Sequence, residues 1–399
     1  MEWKEVTLGE IGTIVGGATP STKNTSFYDG NIPWLTPKDL SVNSNKYILR
    51  GERNITEAGF KSCSCKMLPK GSVLFSSRAP IGYVAIAAND MCTNQGFKSV
   101  IPNEETDSEF LYYLLKYNKD NIASQGSGTT FAEVSGKTMK EIEVMVPKET
   151  EDQRRIASIL SSLDRKIELN NKINADLEEM AQAIFKNWFV DFEPFKDGKF
   201  VDSELGMIPE GWKVGTLGDI TKNKSAKVKE RNDVKVLSPV TTGELVLSEE
   251  YFTKQVFSSS IAKYKIVNKG DFAYNPARVN IGSLGRNEFD FDGCVSPVYV
   301  VFSVLDGYEN YFDLFRKTDF FKDSVASLAI GGVRQSLSYD DLSSIEVIIP
   351  SENAVEEFNN LYNQMKKTIK ANKLENSRLS TLRDTLLPRL MSGELEVPE

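Results

Sequence analysis

The 399-residue chain is written twice, and that duplication constrains its fold more than any other feature. The opening EWKEVTLGEIGTI (2–14) returns as GWKVGTLGDITKN (211–223), with Trp3, Lys4, Thr7, Leu8, Gly9 and Ile11 matched by Trp212, Lys213, Thr216, Leu217, Gly218 and Ile220. PKGSVLFSSRAPIG (69–82) returns as NKGDFAYNPARVNIG (268–282), each copy setting an arginine (Arg78, Arg278) just before an Ile-Gly pair. EIEVMVP (141–147) returns as SIEVIIP (344–350). Such a repeat means two copies of one scaffold, each burying its own core. Within a copy, GSVLFSS, GYVAIAA, FKSVIP and IEVMVP are short β-branched or aromatic runs parted by Gly, Pro and Asn, the pattern of strands and turns. One helix is expected near 108–118, matched near 311–323. The class is therefore α+β, in the order globular, helix, globular, helix.

The two helical stretches carry a second duplication. Leu160, Leu163, Ile167, Leu177, Ala181, Ile184 and Trp188 fall at alternating spacings of three and four, the inward positions of a heptad. Asn170 and Asn174 occupy two of those inward places. Met365, Ile369, Leu379, Leu386 and Leu390 repeat the pattern, and Asn372 and Asn376 interrupt it likewise. Two related halves in one chain pair most simply about a pseudo-twofold axis, which makes the helices an antiparallel coiled coil. Buried asparagine in such a seam lowers stability but fixes register, since a slip leaves an amide unpaired. Asn170, Asn174, Asn372 and Asn376 are thus expected to set the register, and with it the distance between the globular halves. Thr150 with Gln153, and Asn353 with Glu356, have capping-box spacing at the two helix starts. Pro388 should end or kink the second helix. The segments are 1–147, 148–205 (first helix and linker), 206–350 and 351–399 (second helix and tail).

Composition removes several function classes. The chain has no histidine, so the commonest general base and most transition-metal sites are missing. Its four cysteines, Cys63, Cys65, Cys92 and Cys294, lack zinc-knuckle spacing and are expected to be free thiols, with no metal site. No apolar run is long enough to span a bilayer, and the start MEWKEVTLGE has neither part of a signal peptide, so no membrane is expected and the cytoplasm is. The net charge of −8 does not exclude nucleic acid, because the acid is unevenly placed. Residues 148–205 hold 9 basic and 13 acidic groups, while 1–147 hold 15 and 16.

These marks, in this order, resemble the specificity subunits of type I restriction–modification systems. The resemblance rests on WKEVTLGEIGTI and GWKVGTLGDI opening the halves, FSSRAPIGYVAI followed by TNQGFKSVIP, IEVMVPKETEDQRRIASILSSLDRKIELNNKIN, and the ending LRDTLLPRLMSGELEV. It spans essentially the whole chain. It implies two target-recognition domains (1–147 and 206–350), each reading half of a bipartite double-stranded DNA site, joined by helical spacers. It also implies docking of two methyltransferase subunits and of restriction/translocase subunits. The chain itself would be non-catalytic and hold no cofactor. S-adenosylmethionine, ATP and Mg²⁺ belong to the partners in a complex that methylates adenine N6 and cleaves DNA. The second half, with YNPARVNIG and DGCVSPVYVV, departs from the family's wording, which suits a different half-site and weakens residue-by-residue transfer there.

Arg, Lys, Asn and Gln on Gly-rich loops are natural readers of base edges and phosphates. In the first half the candidates are Thr19, Ser21, Lys23, Lys38, Ser76, Arg78, Asn94, Gln95, Gln125, Ser127 and Thr129. In the second they are Lys222, Lys224, Lys227, Lys229, Asn275, Arg278, Asn280, Arg334, Gln335 and Ser336. TKNKSAKVKER (221–231) is the most basic stretch, a candidate phosphate clamp. Arg78 and Arg278 have a second reading as scaffold braces that both halves need alike. Glu168, Asp176, Glu178 and Glu179 suggest an acidic outer helix face on which a methyltransferase could dock. The main alternative is a coiled-coil protein-interaction scaffold without DNA binding. An enzyme in its own right finds support only in a faint likeness of YNPAR (274–278) to an adenine-methyltransferase loop, and lacks a glycine-rich cofactor loop.

Overall fold

A computed structural model describes the chain except residues 44, 79, 129–131, 253, 329–335 and 398–399. It divides into two compact units, Met1–Ile173 with Ala371–Glu399, and Asn174–Lys370. Each unit contains one globular half and one end of each long helix.

In the first unit the initial strand Trp3–Thr7 pairs antiparallel with Glu143–Pro147, Trp3 opposite Pro147 and Thr7 opposite Glu143. This brings the two ends of the globular half together. A five-stranded sheet follows in the order Gly12–Gly16, Lys98–Pro102, Val73–Ser77, Ile81–Ala87, Tyr47–Ile48. Helix Ser108–Tyr117, capped by the Asp107 side chain, packs Phe110, Leu111 and Leu114 with Val73, Phe75, Ile86 and Val100 of that sheet. Ile156, Ala157 and Leu160 of the first long helix and Leu390 and Met391 of the second complete the core. Gly12 is built into a strand where a Cβ would lie 2.6 Å from the Ile101 carbonyl oxygen, so the close pairing excludes any larger residue.

The second unit repeats the closure, Lys213–Thr216 pairing with Glu346–Ile349. Its strands form two four-stranded sheets instead of one of five. One runs Thr221–Lys224, Val300–Val304, Phe272–Tyr274, Leu284–Arg286; the other runs Leu245–Leu247, Lys235–Pro239, Gly293–Val295, Lys265–Val267. The expected helix near 311–323 is two, Glu309–Phe315 and Asp319–Leu328. The stretch after the first long helix is ordered by aromatic packing, Phe192 and Phe195 lying 5.5 and 5.0 Å from Trp212, ring centre to ring centre.

The long helices are Thr150–Phe189 and Glu352–Met391, 40 residues each and about 60 Å long. Their starts differ from the capping boxes expected. Thr150 Oγ1 and Gln153 Nε2 both donate to the Glu105 carbonyl, and Gln153 Oε1 accepts from the Asp107 amide, so these side chains tie the helix to a neighbouring loop. At the second start Ser351, not Asn353, receives the Ala354 amide, and Asn353 donates to Glu357. Pro388 does not end the second helix, which continues to Met391. Its ring removes one backbone donor, while the Pro388 carbonyl still accepts from the Ser392 amide.

Within the first unit the helices run antiparallel. Asn170 Nδ2 donates to Asn376 Oδ1 (2.9 Å) and Glu375 Oε2 (2.7 Å), Asn376 Nδ2 donates to Asn171 (2.8 Å), and Asp164 meets Arg383 (2.7 Å). Asn170 is wholly buried and Asn174 nearly so. In the second unit Phe185 and Phe189 pack edge-to-face on Phe358, ring centres 6.2 and 5.0 Å away.

Candidate nucleic-acid interface

The first unit gathers its candidate readers at one end of its sheet. The loop 16–22 is held by the Ala18 amide donating to the Thr93 carbonyl (3.0 Å), Trp34 Nε1 to Ala18 O (3.0 Å) and the Tyr28 hydroxyl to Pro20 O (2.7 Å). At Gly17 a Cβ would fall 2.1 Å from the Thr93 oxygen, so only glycine lets the loop lie this close to strand Cys92–Thr93. The Thr19 hydroxyl donates to the Gln95 side chain, while Asn94 Oδ1 accepts from the Gly96 amide (2.8 Å) and shapes the turn. Ser21, Lys23 and Gln95 are exposed. Lys38 is exposed too and meets Glu52 at 2.7 Å, an open surface pair that a phosphate can readily displace.

A second cluster adjoins the first through Ser77, whose amide donates to Gly96 O (2.8 Å) and whose carbonyl accepts from Val134 (3.0 Å). Ser127 and Glu133 exchange backbone hydrogen bonds, both 3.0 Å, closing a loop that leaves Gln125 and Ser127 exposed. Arg78 lies 3.6 Å and Lys98 3.1 Å from the Glu133 carboxylate. The brace reading of Arg78 therefore has a partner, one that it shares with Lys98. Glu133 and Lys98 were not singled out from sequence. The only signal for Lys98 was the strand alternation that buries Phe97 and turns Lys98 outward. Ser76 leaves the candidate interface: it is wholly buried, donating to Pro80 O and accepting from the Tyr83 amide, both 2.8 Å. Thr129 lies outside the described residues.

In the second unit the basic stretch is divided. Lys222, Lys227 and Lys229 are exposed, with Lys229 at φ +54° and its amide donating to Ala262 O. Lys224 instead bonds both oxygens of buried Asp271 (2.7 and 3.0 Å), so it braces the sheet and is no phosphate clamp. Burial raises the Asp271 carboxyl above its ordinary range against the pull of that lysine. A separate group forms at the loop after strand Phe272–Tyr274. Asn275 Oδ1 accepts from the Ala277 amide, Arg278 and Asn280 are exposed on the turn, and the Leu337 amide donates to Pro276 O, setting exposed Ser336 beside them. Among the described residues Arg278 has no carboxylate within ion-pair distance, unlike Arg78. Arg334 and Gln335 lie outside the described residues.

On the first long helix Glu168 does not face outward. Its carboxylate accepts from the Lys46 amide (3.0 Å), and only Asp176, Glu178 and Glu179 of the acidic set are exposed. Lys46, buried, also donates to Glu109 (2.8 Å) and Ser161 (2.7 Å), so a charged network fastens the globular half to this helix. Burial pushes the Glu109 carboxyl up, but hydrogen bonds from Lys46, Ser161 and Tyr47 outweigh it and hold the group below its ordinary range. Among the described residues no group of three or more Cys, Asp or Glu is placed to hold a metal ion, and no helix is long and apolar enough to cross a membrane.

Residues 1–179 match the family model described as the type I restriction modification DNA specificity domain. The MjaIX specificity subunit of Methanocaldococcus jannaschii, a type I restriction enzyme component, is 36% identical over 412 residues, covering 100% of this chain and 94% of that protein. The HindI specificity subunit of Haemophilus influenzae is 26% identical, covering 99% of this chain and 100% of that one. In fold, the crystal structure of a type I restriction–modification S subunit from M. genitalium matches with a TM-score of 0.59 at 17% identity, covering 98% of this chain and 96% of that one. With full-length identity at this level and two duplicated halves on one scaffold, the chain belongs to the specificity subunits of type I restriction–modification systems.

Proposed function

We propose that the chain reads a bipartite double-stranded DNA site, one half-site per globular half, and positions methyltransferase and restriction/translocase subunits on it in the cytoplasm. The observation that carries this reading is the contrast between matched positions: Arg78 is paired with Glu133, while Arg278 stands exposed beside Asn280 and Ser336. One scaffold with unlike polar surfaces suits two unlike sequences, since base-edge contacts specify and scaffold contacts do not. Ser21, Lys23 and Gln95 on one unit, and Arg278, Asn280 and Ser336 on the other, are the base-edge candidates. Lys222, Lys227 and Lys229 contact phosphates. Asp176, Glu178 and Glu179 offer the methyltransferase an acidic face, and S-adenosylmethionine, ATP and Mg²⁺ are held by the partners. Asn170 and Asn376 fix the register of the helix pair.

Mapping N6-methyladenine in the host genome with and without this gene tests the reading. A split motif that vanishes with the gene is expected, and one unbroken motif, or no change, refutes it. Binding by the complex should weaken steeply with salt. Replacing Lys222, Lys227 and Lys229 with Gln should flatten the log–log salt slope by about 0.9 for each phosphate these lysines neutralise.

A further inference from the structure

The repeated Ile-Gly pair is put to different use in the two halves. In the first, Ile81 opens strand Ile81–Ala87 and packs against the core that holds Val73, Phe75 and Phe110. In the second, the matching segment is no strand but a one-turn 3₁₀ helix, Val279–Ile281. Val279 enters the core that holds Tyr274 and Leu284, and Ile281 is left 56% exposed.

A lone aliphatic side chain at a surface is ordinary. This one differs in how firmly its backbone is held and in what flanks it. The Ile281 amide donates to Arg278 O (3.2 Å), that of Gly282 to Val279 O (3.0 Å) and that of Ser283 to Arg278 O (3.1 Å). The Asn275 amide donates to Ser283 O (3.1 Å), closing the loop at its base, and the Ser283 hydroxyl fastens it to Pro239 O (2.8 Å). Gly282 stands at φ +94°, and a Cβ there would fall 2.7 Å from the Thr241 carbonyl oxygen, so the turn lies tight on that segment. Arg278, Asn280 and Ile281 are thus exposed together on one braced turn. Arginine and asparagine hydrogen-bond guanine and adenine edges, whereas the apolar group a base pair offers in the major groove is the thymine 5-methyl. Isoleucine, stiff at its branched Cβ and set on a fixed backbone, meets such a group with little further loss of conformational freedom.

We propose that Ile281 reads a thymine in the second unit's half-site by apolar contact with its 5-methyl group. The proposal rests on the reading that this unit contacts DNA. It adds to the hydrogen-bonding set a specificity-determining residue that selects for a methyl group rather than for a donor or acceptor.

The test uses the complex with the methyltransferase partner and duplexes carrying the split motif found by methylation mapping. Each thymine, on either strand, is replaced in turn by deoxyuridine, which lacks only the methyl. At one position the wild type should bind about fourfold more weakly, the effect of one buried methyl-sized group. In Ile281→Ala that same replacement should cost almost nothing. No wild-type dependence on any thymine methyl, or an equal penalty in Ile281→Ala, overturns the proposal and leaves the DNA reading intact. The wild-type series decides the first of these even where the variant fails to fold. A complex that does not bind the motif duplex at all refutes the DNA reading, and this proposal with it.

Discussion

Arg383 is the residue whose replacement should most clearly expose how the first unit holds its helix pair. Its guanidinium meets Asp164 at 2.7 Å, and Asp164 also accepts from the Tyr113 hydroxyl. The Asp164 side chain is 8% exposed and that of Arg383 20%. Arg383→Met keeps most of the stem volume and removes the charge, leaving the buried Asp164 carboxylate with one hydroxyl for company. Breaking one side of a buried pair costs about 3–5 kcal/mol, and the partial exposure of Arg383 argues for the lower end, about 3. Because the two units need not unfold together, a single global melt is the wrong assay. Amide hydrogen exchange over 156–167 reads the first unit, with 176–188 as internal reference. A loss of about 3 kcal/mol corresponds to roughly a hundredfold faster exchange in the first segment and little change in the second. Adding Asp164→Asn, which keeps the contact with Tyr113 but removes the stranded charge, should restore most of that protection. Exchange within about twofold of wild type in Arg383→Met, or no recovery in the double variant, would show that the pair is not what holds the helices here.

Three further outcomes are expected. Gly393 has φ +76° and a Cβ there would lie 2.7 Å from Trp3 Nε1, so Gly393→Ala should destabilise the first unit by about 1–3 kcal/mol, read by denaturant-dependent Trp3 fluorescence in a variant lacking the other tryptophans. Asn170→Leu replaces a buried amide whose Oδ1 has no partner among the described residues, so it should be neutral or stabilising; Asn376→Leu, which removes an acceptor from Asn170 and a donor from Asn171, should cost about 1 kcal/mol more, and the reverse order in exchange protection would contradict the hydrogen-bond pattern. Glu109 titrates lower in the folded unit than its ordinary value of 4.5, so its contribution is present above that pH and lost as pH falls through the depressed value. Glu109→Gln should therefore flatten the acid limb of first-unit stability below about pH 4.5, measured by exchange or fluorescence, and an unchanged acid limb would remove Glu109 from the account.

The features legible in the sequence were the periodic and the repeated ones. Heptad spacing exposed both long helices, because an apolar stripe every three and four residues has only one regular way to be buried. The repeated EWKEVTLGEIGTI and EIEVMVP segments pointed to two copies of one scaffold, though not to the strand pair that closes each copy, and the asparagines at inward positions were visible as interruptions of a pattern. Tertiary structure decided what each polar side chain meets. Arg78 and Arg278 look equivalent in sequence, yet among the described residues only Arg78 finds a carboxylate, 55 residues along in Glu133. Ser76 reads as a candidate base reader until the fold buries it at a strand irregularity, and Lys224 reads as a phosphate clamp until Asp271 arrives from the start of a neighbouring strand. Met67 and Cys92 become neighbours only because a short antiparallel bridge joins their segments. Local propensity and period fix elements, since they act among residues a few positions apart. Charge pairing and burial of single groups depend on which distant segments the chain closure brings together, and no local pattern records that.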